Sequence, residues 1–397
     1  MIARLVERAA RRAVHRARLA SRSAALRLSS WPAFEQRRVD AAQVRRILAV
    51  RLDRLGDVVL TLPALDALAE SYPNAHRMVM VRPALAPLIH GRPSVHRVVV
   101  AEHDADVHAL ARVMAACEPD LAVDFSAVDD LRAARALVLA RVRDRVGLAG
   151  GGREVYFTNT ASPDAPCSLS ELNGLVVEAA GGIASAASPS VTLDARARSA
   201  AEALLRQLGA PSGWPRIAVH PGGHYPTQRW PVERFADVAV ALAVRHKGRV
   251  VILSGPGEEE LVRSLYRYGS EHAVIVPALD VASLAAVMGC CDVLLANNSG
   301  PLHLAAAIGL PTVSVMGPTD PVRFWPMGRE QTVIRLQGLA CSPCTRGRCG
   351  PHDCLRGIGV SEVLEAAQDL LDAALSRSRR DAPGPGLREV GAGAVTA

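Results

Sequence analysis

Short apolar runs rich in β-branched residues recur through the first part of the chain, each followed by a stretch long enough for a helix. Four such runs lie at residues 47–52, 77–82, 97–100 and 120–125. Amphipathic helices are predicted between them, near residues 57–70, 105–117 and 128–141. Runs that are apolar at nearly every position are typical of strands covered on both faces, as in a parallel sheet. The alternation therefore predicts a doubly wound α/β unit.

A second series of the same kind occupies the later part of the chain. Its strand-like runs lie within residues 216–223, 249–255, 272–276, 291–298 and 311–317. A looser segment rich in Gly, Ser and Pro, residues 149–193, separates the two series and is expected to hold the interdomain connection. The sequence thus predicts two Rossmann-like domains, residues 47–193 and 194–360, and a closing helix over 361–378.

The two ends of the chain differ in composition from these domains. Within the first 30 residues eight arginines stand against a single acidic residue, Glu7. This basic extension, residues 1–46, is interpreted either as a helix lying on an anionic membrane surface or as a solvated arm. The tail over 379–397 is rich in Gly and Pro, and it is predicted to be disordered.

Composition restricts the class of protein further. A content of 49% hydrophobic and 21% charged residues is typical of packed globular domains. Although the net charge is +7, only 4% of the residues are aromatic, which argues against a platform that stacks nucleic-acid bases. Because no signal-peptide pattern and no apolar run of about 20 residues is found, a cytoplasmic protein is predicted, with peripheral contact to the inner membrane face through residues 1–46 as an option.

The loop after the first strand differs from the common nucleotide-binding motifs. It reads RLDRLGDVVLTLPAL over 51–65, without the glycine spacing of dinucleotide-binding folds, and no phosphate-binding P-loop occurs in the chain. Gly56 is expected at the strand-to-helix turn and Asp57 at the start of the helix. The Asp57 carboxylate can cap that helix, or it can act as a general base at the carboxyl end of the sheet.

Three loops of the second series are expected to meet at the carboxyl ends of their strands. The residues singled out in them are Gly222, Gly223, Gln228, Arg229, Glu258, Asn298, Ser299, Gly300 and His303. Arg229 supplies a cation before a helix, and Asn298 or Ser299 is expected to cap another helix. Glycine loops that lead into helix N-termini favour anions, so these loops predict a diphosphate site.

Together these segments resemble glycosyltransferase family 9, the ADP-heptose:lipopolysaccharide heptosyltransferases. The likeness covers about residues 46–377 and is most specific in NNSGPLHLAAAIGLPTVSVMGPTDP, from residue 297 onward. It implies a GT-B fold, in which two Rossmann-like domains face each other across a cleft. It also implies an inverting transfer without metal or other cofactor, from an ADP-sugar bound by the C-terminal domain to a glycan or lipid-linked acceptor on the N-terminal one.

The same resemblance implies roles for single residues. Asp57 would take the proton of the acceptor hydroxyl, and Glu258 would approach the nucleoside. Asn298, Ser299, Gly300 and His303 would surround the diphosphate and sugar of the donor. The family usually has a lysine where this chain has Gln228, so Arg229 would have to supply that charge, and many relatives have aspartate at Asn298.

Four clustered cysteines leave a question open. The spacing of Cys341, Cys344, Cys349 and Cys354 could in principle form a thiolate zinc site, although it lacks the paired knuckles of common structural sites. The resemblance implies no metal there. Two rival functions therefore stand beside transfer: a nucleotide-sugar-binding protein without turnover, and a zinc-stabilised nucleic-acid binder. The pair Asp104 and Asp106 is predicted to cap a helix instead of holding a metal.

Overall fold

A computed structural model describes residues 38–102, 104–127, 129–344 and 347–381. The first half of this range forms a six-stranded parallel sheet in the order β3-β2-β1-β4-β5-β6. Its strands are β1 (Arg46–Arg51), β2 (His76–Val81), β3 (Arg97–Val100), β4 (Leu121–Asp124), β5 (Asp144–Leu148) and β6 (Asn159–Ala161). Its helices are α1 (Leu55–Val59), α2 (Leu62–Ser71), α3 (Ala86–Ile89), α4 (Val107–Ala116), α5 (Arg132–Leu139) and α6 (Leu169–Ala179).

The second half repeats this architecture in the order β12-β11-β10-β7-β8-β9. Its strands are β7 (Arg216–His220), β8 (Arg249–Ile252), β9 (Ala273–Ile275), β10 (Val293–Asn297), β11 (Thr312–Val315) and β12 (Gln331–Ile334). Its helices are α7 (Ala195–Gln207), α8 (Val232–His246), α9 (Glu259–Gly269), α10 (Val281–Met288), α11 (Gly300–Ile308), α12 (Asp353–Arg356) and α13 (Val360–Asp381).

Both sheets have the same topology. Read from its other edge, the second sheet runs β9-β8-β7-β10-β11-β12, which matches the order of the first. This is the strand order of Rossmann domains, whose ligands bind outside the carboxyl ends of the strands where the order reverses. The reversal lies between β1 and β4 in one half and between β7 and β10 in the other. The prediction of two doubly wound halves is confirmed.

The helix expected near residues 57–70 is divided into α1 and α2. Pro63 lies in the first turn of α2, where its missing N–H costs no hydrogen bond. The Thr61 hydroxyl donates to the Asp57 carbonyl at 2.7 Å and bridges the break. The short α1 therefore presents its own N-terminus at the end of β1.

The segment over 149–193, in which the interdomain connection is predicted, contains more regular secondary structure than its composition predicts. It contains β6 and α6, and a continuous run of irregular backbone over residues 183–194 follows α6. The preceding strand β5 escaped sequence analysis because it buries Arg145 and Gly147. The Arg145 Nε donates to the Tyr156 carbonyl at 2.8 Å, and the Phe157 ring fills the space beside Gly147.

The closing helix α13 belongs to the core of the second half. Val363, Ala367 and Leu371 pack in one buried cluster with Trp230 and Phe235. The helix continues to Asp381, three residues past its predicted end at residue 378. The remaining predictions for the tail, residues 382–397, and for the basic extension up to residue 37 lie outside the described residues. Among the described helices none is long and apolar enough to cross a bilayer.

Candidate functional site

The two halves touch where α1 and α11 begin. A Cβ on Gly56 would lie 2.9 Å from Cδ2 of His303, and one on Gly300 would lie 2.9 Å from Cβ of Leu55. Both distances are too short for a real side chain, so the two glycines allow the helix starts to come together. A further link joins the halves where Arg54 Nη2 lies 2.8 Å from Nε2 of His224. The loops after β1, β7 and β10 therefore meet in one region.

Asp57 lies in the first turn of α1 with 23% of its side chain exposed. Its Oδ2 accepts a hydrogen bond from the backbone N–H of Arg54 at 3.1 Å. Its Oδ1 lies 3.6 Å from Nη2 of the buried Arg51. The predicted helix cap is confirmed, and the carboxylate that makes it is fixed and partly open to solvent. Both properties suit a general base, which remains a prediction for this residue.

Asp53 is a residue of this region that sequence analysis missed. Its Oδ2 is buried without a hydrogen bond among the described residues, and Nη1 of Arg51 lies 3.4 Å away. Burial raises the pKa of Asp53, Arg51 opposes the rise, and the negative charge of Asp57 adds to it. The only signal in the sequence was a second carboxylate four residues before Asp57.

His303 connects α11 to the start of α1. Only 4% of the residue is exposed, and its Nδ1 has no hydrogen-bond partner among the described residues. Burial lowers the pKa of His303 to about 4, although the neighbouring Asp57 acts in the opposite direction. The imidazole is therefore neutral at pH 7, and its Nδ1 is buried without a partner among the described residues.

This depressed pKa predicts that acid destabilises the protein through His303. The ordinary histidine pKa is 6.5, so as the pH falls the unfolded chain binds the proton before the folded protein does. The stability that His303 contributes above pH 6.5 is therefore lost as the pH falls towards its folded-state pKa of about 4. Between pH 7 and 5 this amounts to about 2 kcal/mol. We expect His303→Asn to reduce the pH dependence of urea unfolding by this amount. Parallel curves for the two proteins would contradict the prediction.

The loop after β7 is fastened by Asn297, a second residue that sequence analysis missed. Its Oδ1 accepts the backbone N–H of Trp230 at 2.8 Å. Its Nδ2 donates to the carbonyls of Pro221 at 2.8 Å and Gly222 at 2.9 Å. Because the side chain is fully buried at the end of β10, it joins the two loops that flank the reversal of strand order.

Glu258 reaches across to the same loop. Its carboxylate accepts from the N–H groups of Gly223 at 3.2 Å and Gly255 at 2.8 Å, and it lies 3.1 Å from His220 Nε2. Burial alone would raise the pKa of Glu258, but the bond and charge of His220 and the Gly255 N–H hold it below its usual value. At least part of the hydrogen-bonding capacity of the Glu258 carboxylate is therefore used within the protein. Its contact with a nucleoside remains a prediction.

Gly222 must be glycine because the Glu258 carboxylate occupies the place of a side chain. A Cβ there would lie 1.9 Å from Oε1 of Glu258. We expect Gly222→Ala to displace this carboxylate and lower the free energy of unfolding by about 1–3 kcal/mol. Gly350→Ala is the matched control, because no atom lies within 4 Å of its added Cβ. Equal urea midpoints for the two variants would show that the Glu258 contact is dispensable.

Gln228 and Arg229 lie at the end of a single 3₁₀ turn, Pro226–Gln228. The Gln228 Oε1 accepts the backbone N–H of Tyr225 at 3.2 Å. Arg229 Nε donates to the carbonyl of Gly223 at 2.9 Å, which ties the guanidinium to the glycine loop. Arg229 also lowers the pKa of His224, after burial and Arg54. The structure therefore places a held cation at the predicted position.

The expectation that Asn298 or Ser299 caps α11 through its side chain was wrong. Ser299 occupies the N-cap position, but its side chain makes no capping bond, and its buried Oγ has no partner among the described residues. The Asn298 amide instead donates to the carbonyl of Phe324 at 2.8 Å. The N–H groups at the start of α11 therefore receive no side-chain cap from Ser299, the residue at the N-cap position.

The four clustered cysteines line a cavity of about 50 Å³. His352 lies on the same wall, and its Nε2 is 2.8 Å from the carbonyl of Thr227. Burial, followed by the charges of the other three thiols, raises the pKa of Cys354 to about 11. Within the described part of this loop, no three His, Cys, Asp or Glu side chains are grouped so that they could hold a metal ion. Asp106 caps α4 as predicted, accepting from the N–H groups of His108 and Ala109.

Comparison with solved structures supports the fold. A glycosyltransferase family 9 protein from Veillonella parvula matches with a TM-score of 0.72 at 22% identity, covering 83% of this chain and 97% of that one. ADP-heptose lipopolysaccharide heptosyltransferase II of Escherichia coli matches with a TM-score of 0.68 at 21% identity, covering 84% and 99%. The GT-B arrangement predicted from the sequence is confirmed.

Sequence comparison points to the same family. Lipooligosaccharide heptosyltransferase 2 of Campylobacter jejuni is 29% identical over 162 residues, which cover 39% of this chain and 50% of that protein. The chain spans about half the length of the first such relatives. The model of glycosyltransferase family 9 (heptosyltransferase) matches residues 107–352, more than half of the chain. This chain therefore belongs to glycosyltransferase family 9.

Proposed function

We propose that this protein transfers a sugar from an ADP-sugar to a glycan or lipid-linked acceptor, with inversion at the anomeric carbon and without a metal ion. One observation carries the proposal. The fixed carboxylate of Asp57, at the start of α1, lies in the half opposite the loops of β7 and β10, and the two helix starts touch at Gly56 and His303. A base on one side and an anion site on the other are what a displacement across a cleft requires.

The reaction follows from this placement. Asp57 takes the proton of the acceptor hydroxyl while that oxygen attacks the anomeric carbon of the donor. The new C–O bond forms as the bond from the anomeric carbon to the diphosphate oxygen breaks, and ADP leaves with the electron pair. Because attack and departure occur on opposite faces in one step, the configuration at the anomeric carbon inverts.

The charge that develops on the leaving diphosphate is met by fixed groups of the second half. The start of α11 offers backbone N–H groups, the unpartnered Ser299 hydroxyl and the positive end of the helix dipole. Arg229 adds a guanidinium held by the Gly223 carbonyl. Such donors, already oriented before the reaction, contribute about 10²–10³-fold in rate. These groups supply the stabilisation that the proposal requires without a metal ion.

The donor and acceptor are proposed by class. Relatives with partial coverage are named lipooligosaccharide and lipopolysaccharide heptosyltransferases, which favours heptose and a lipopolysaccharide core acceptor. A solved structure of similar fold holds ADP-2-deoxy-2-fluoro heptose. We expect mass spectrometry of a bacterial extract, incubated with the protein and ADP-heptose, to detect an acceptor heavier by one heptose. UDP- and GDP-sugars serve as controls for the nucleotide.

Two outcomes would reject this function. Binding of ADP-sugars without hydrolysis or transfer, across all acceptors, would favour the rival binding protein, which the replacements at Gln228 and Asn298 suggest. If the protein bound no nucleotide sugar at all, the proposed donor site would be rejected.

Arg229→Ala should weaken ADP binding and slow transfer together, because one charge-assisted contact to the diphosphate is lost. We expect the affinity for ADP and the transfer rate each to fall about tenfold, the equivalent of roughly 1.4 kcal/mol. Isothermal titration with ADP and initial-rate kinetics measure the two effects. Arg249→Ala is the control, because this arginine stacks on Trp214 at the other end of the sheet. Unaltered ADP affinity in Arg229→Ala would place that residue outside the donor site.

A further inference from the structure

Arg51, the last residue of β1, is buried at the end of a strand face whose other residues are apolar. Ile47 and Ala49 of the same strand pack in the core cluster with Val58 and Val59. Side chains alternate between the faces of a strand, so Arg51 continues the Ile47 and Ala49 face towards α1. Only 3% of Arg51 is exposed. Burying a guanidinium costs free energy unless opposite charges compensate it. The groups around Arg51 must therefore supply that compensation.

Those partners are two carboxylates at the candidate catalytic position. Nη1 of Arg51 lies 3.4 Å from Oδ2 of Asp53, and Nη2 lies 3.6 Å from Oδ1 of Asp57. The other oxygen of Asp57 is held by the Arg54 N–H. The guanidinium thus stands between the two carboxylates, which hold it from both sides.

We propose that Arg51 is a positioning residue for glycosyl transfer, which orients the Asp57 carboxylate towards the acceptor, with Asp53 as the anchor of its guanidinium. This inference rests on the proposed function. A planar guanidinium can engage two carboxylates at once through separate nitrogens, which a point charge such as lysine cannot reproduce. The arrangement explains why a second, buried carboxylate lies beside the base.

Other charged groups surround Arg51 and its two carboxylates, and they must be considered in any pH experiment. Those of the first half are Arg54, Arg82, Asp124, Asp130 and Arg132, and those of the second half are His303 and Arg323. All of them stay unchanged in the variants described next. Differences between these variants therefore report on Arg51 and Asp53.

The test compares Arg51→Gln with Arg46→Gln, an exposed arginine on the same strand that pairs with Glu118. We expect Arg51→Gln to lower kcat about 10- to 100-fold, within the range of general-base assistance. KM for the ADP-sugar should change less than about twofold, because ground-state donor contacts lie in the other half. The acid limb of the pH–rate profile should move to higher pH, because a carboxylate that loses a cationic neighbour ionises less readily.

Asp53→Asn should move the acid limb in the opposite direction, because it removes a negative neighbour. A purely structural role would not produce shifts of opposite sign. If Arg51→Gln does not fold, Arg51→Lys carries the test: the retained charge should leave the acid limb near its wild-type position while kcat stays reduced. A wild-type kcat in a folded Arg51→Gln, or limbs that shift in the same direction in Arg51→Gln and Asp53→Asn, would overturn the proposal.

A readout without turnover separates this inference from the proposed function. Carbon NMR of the Asp53 carboxyl should show its titration midpoint move to higher pH in Arg51→Gln, because the opposing cation is gone. An unchanged midpoint would reject the coupling even in an active enzyme. If the wild-type protein transfers no sugar, the proposed function fails, and the midpoint still decides whether Arg51 joins the two carboxylates.

Discussion

Asp57→Asn should abolish sugar transfer while leaving donor affinity nearly unchanged. The amide can no longer accept the proton of the acceptor hydroxyl, and general-base assistance contributes typically about 10²–10⁴-fold. The nucleotide site lies in the opposite half, so titration with ADP should give a similar dissociation constant. Initial rates by mass spectrometry and calorimetry of ADP binding measure the two quantities on the same preparations.

The helix cap made by Asp57 requires its own control. Asparagine remains a good acceptor for the Arg54 N–H, so stability should change by less than about 1 kcal/mol. Asp57→Ser, which offers only a shorter hydroxyl, should cost more stability and be equally inactive. A transfer rate above about a tenth of wild type in Asp57→Asn would show that proton removal depends on another group.

Arg153→Met should destabilise the first half more than any surface change. Arg153 and Asp124 are both fully buried, with 2.5 Å between Nη2 and Oδ2. Nη1 also donates to the carbonyls of Ser126 at 2.6 Å and Ala127 at 2.9 Å. The substitution leaves the Asp124 carboxylate buried without its counter-ion, which costs about 3–5 kcal/mol. Urea unfolding followed by circular dichroism measures the loss.

Two variants sharpen this second test. Combining Arg153→Met with Asp124→Leu removes both charges and should recover most of the lost stability, because an apolar replacement of a buried pair is often neutral. Arg46→Met breaks the exposed pair with Glu118 and should cost less than about 1 kcal/mol. A double variant as unstable as Arg153→Met alone would indicate that the lost carbonyl bonds of Arg153, not the unpaired charge, dominate.

The architecture was accessible from sequence where local patterns carry it. Most strands were predicted because they are apolar at nearly every position, and the strand ends were marked by glycine turns. The strands that were missed, β5, β6 and β12, lack this pattern. In β5, for example, Arg145 is tolerated because the Tyr156 carbonyl accepts its hydrogen bond. Gly147 is tolerated because the Phe157 ring fills the space beside it.

The candidate site was predictable only in part. The position of Asp57 followed from the turn chemistry after β1, and the glycines of the β7 loop led to the prediction of an anion site, which remains a prediction. The role of Asn297 could not be predicted, because its three bonds go to backbone groups more than 60 positions away in the chain. The bond from the Asn298 amide to the Phe324 carbonyl could not be predicted either, because it also joins distant parts of the chain.

By itself, then, the sequence determined the two Rossmann-like halves, the loops at their carboxyl ends and the carboxylate after the first strand. The tertiary structure alone decided which polar groups pair, as with Arg51 between Asp53 and Asp57. It also decided which are buried without a partner among the described residues, as with Ser299 and His303. The physical reason is a difference in range. Periodicity and turn preference act over a few neighbouring residues, whereas burial, charge and hydrogen bonding depend on side chains that only the folded chain brings together.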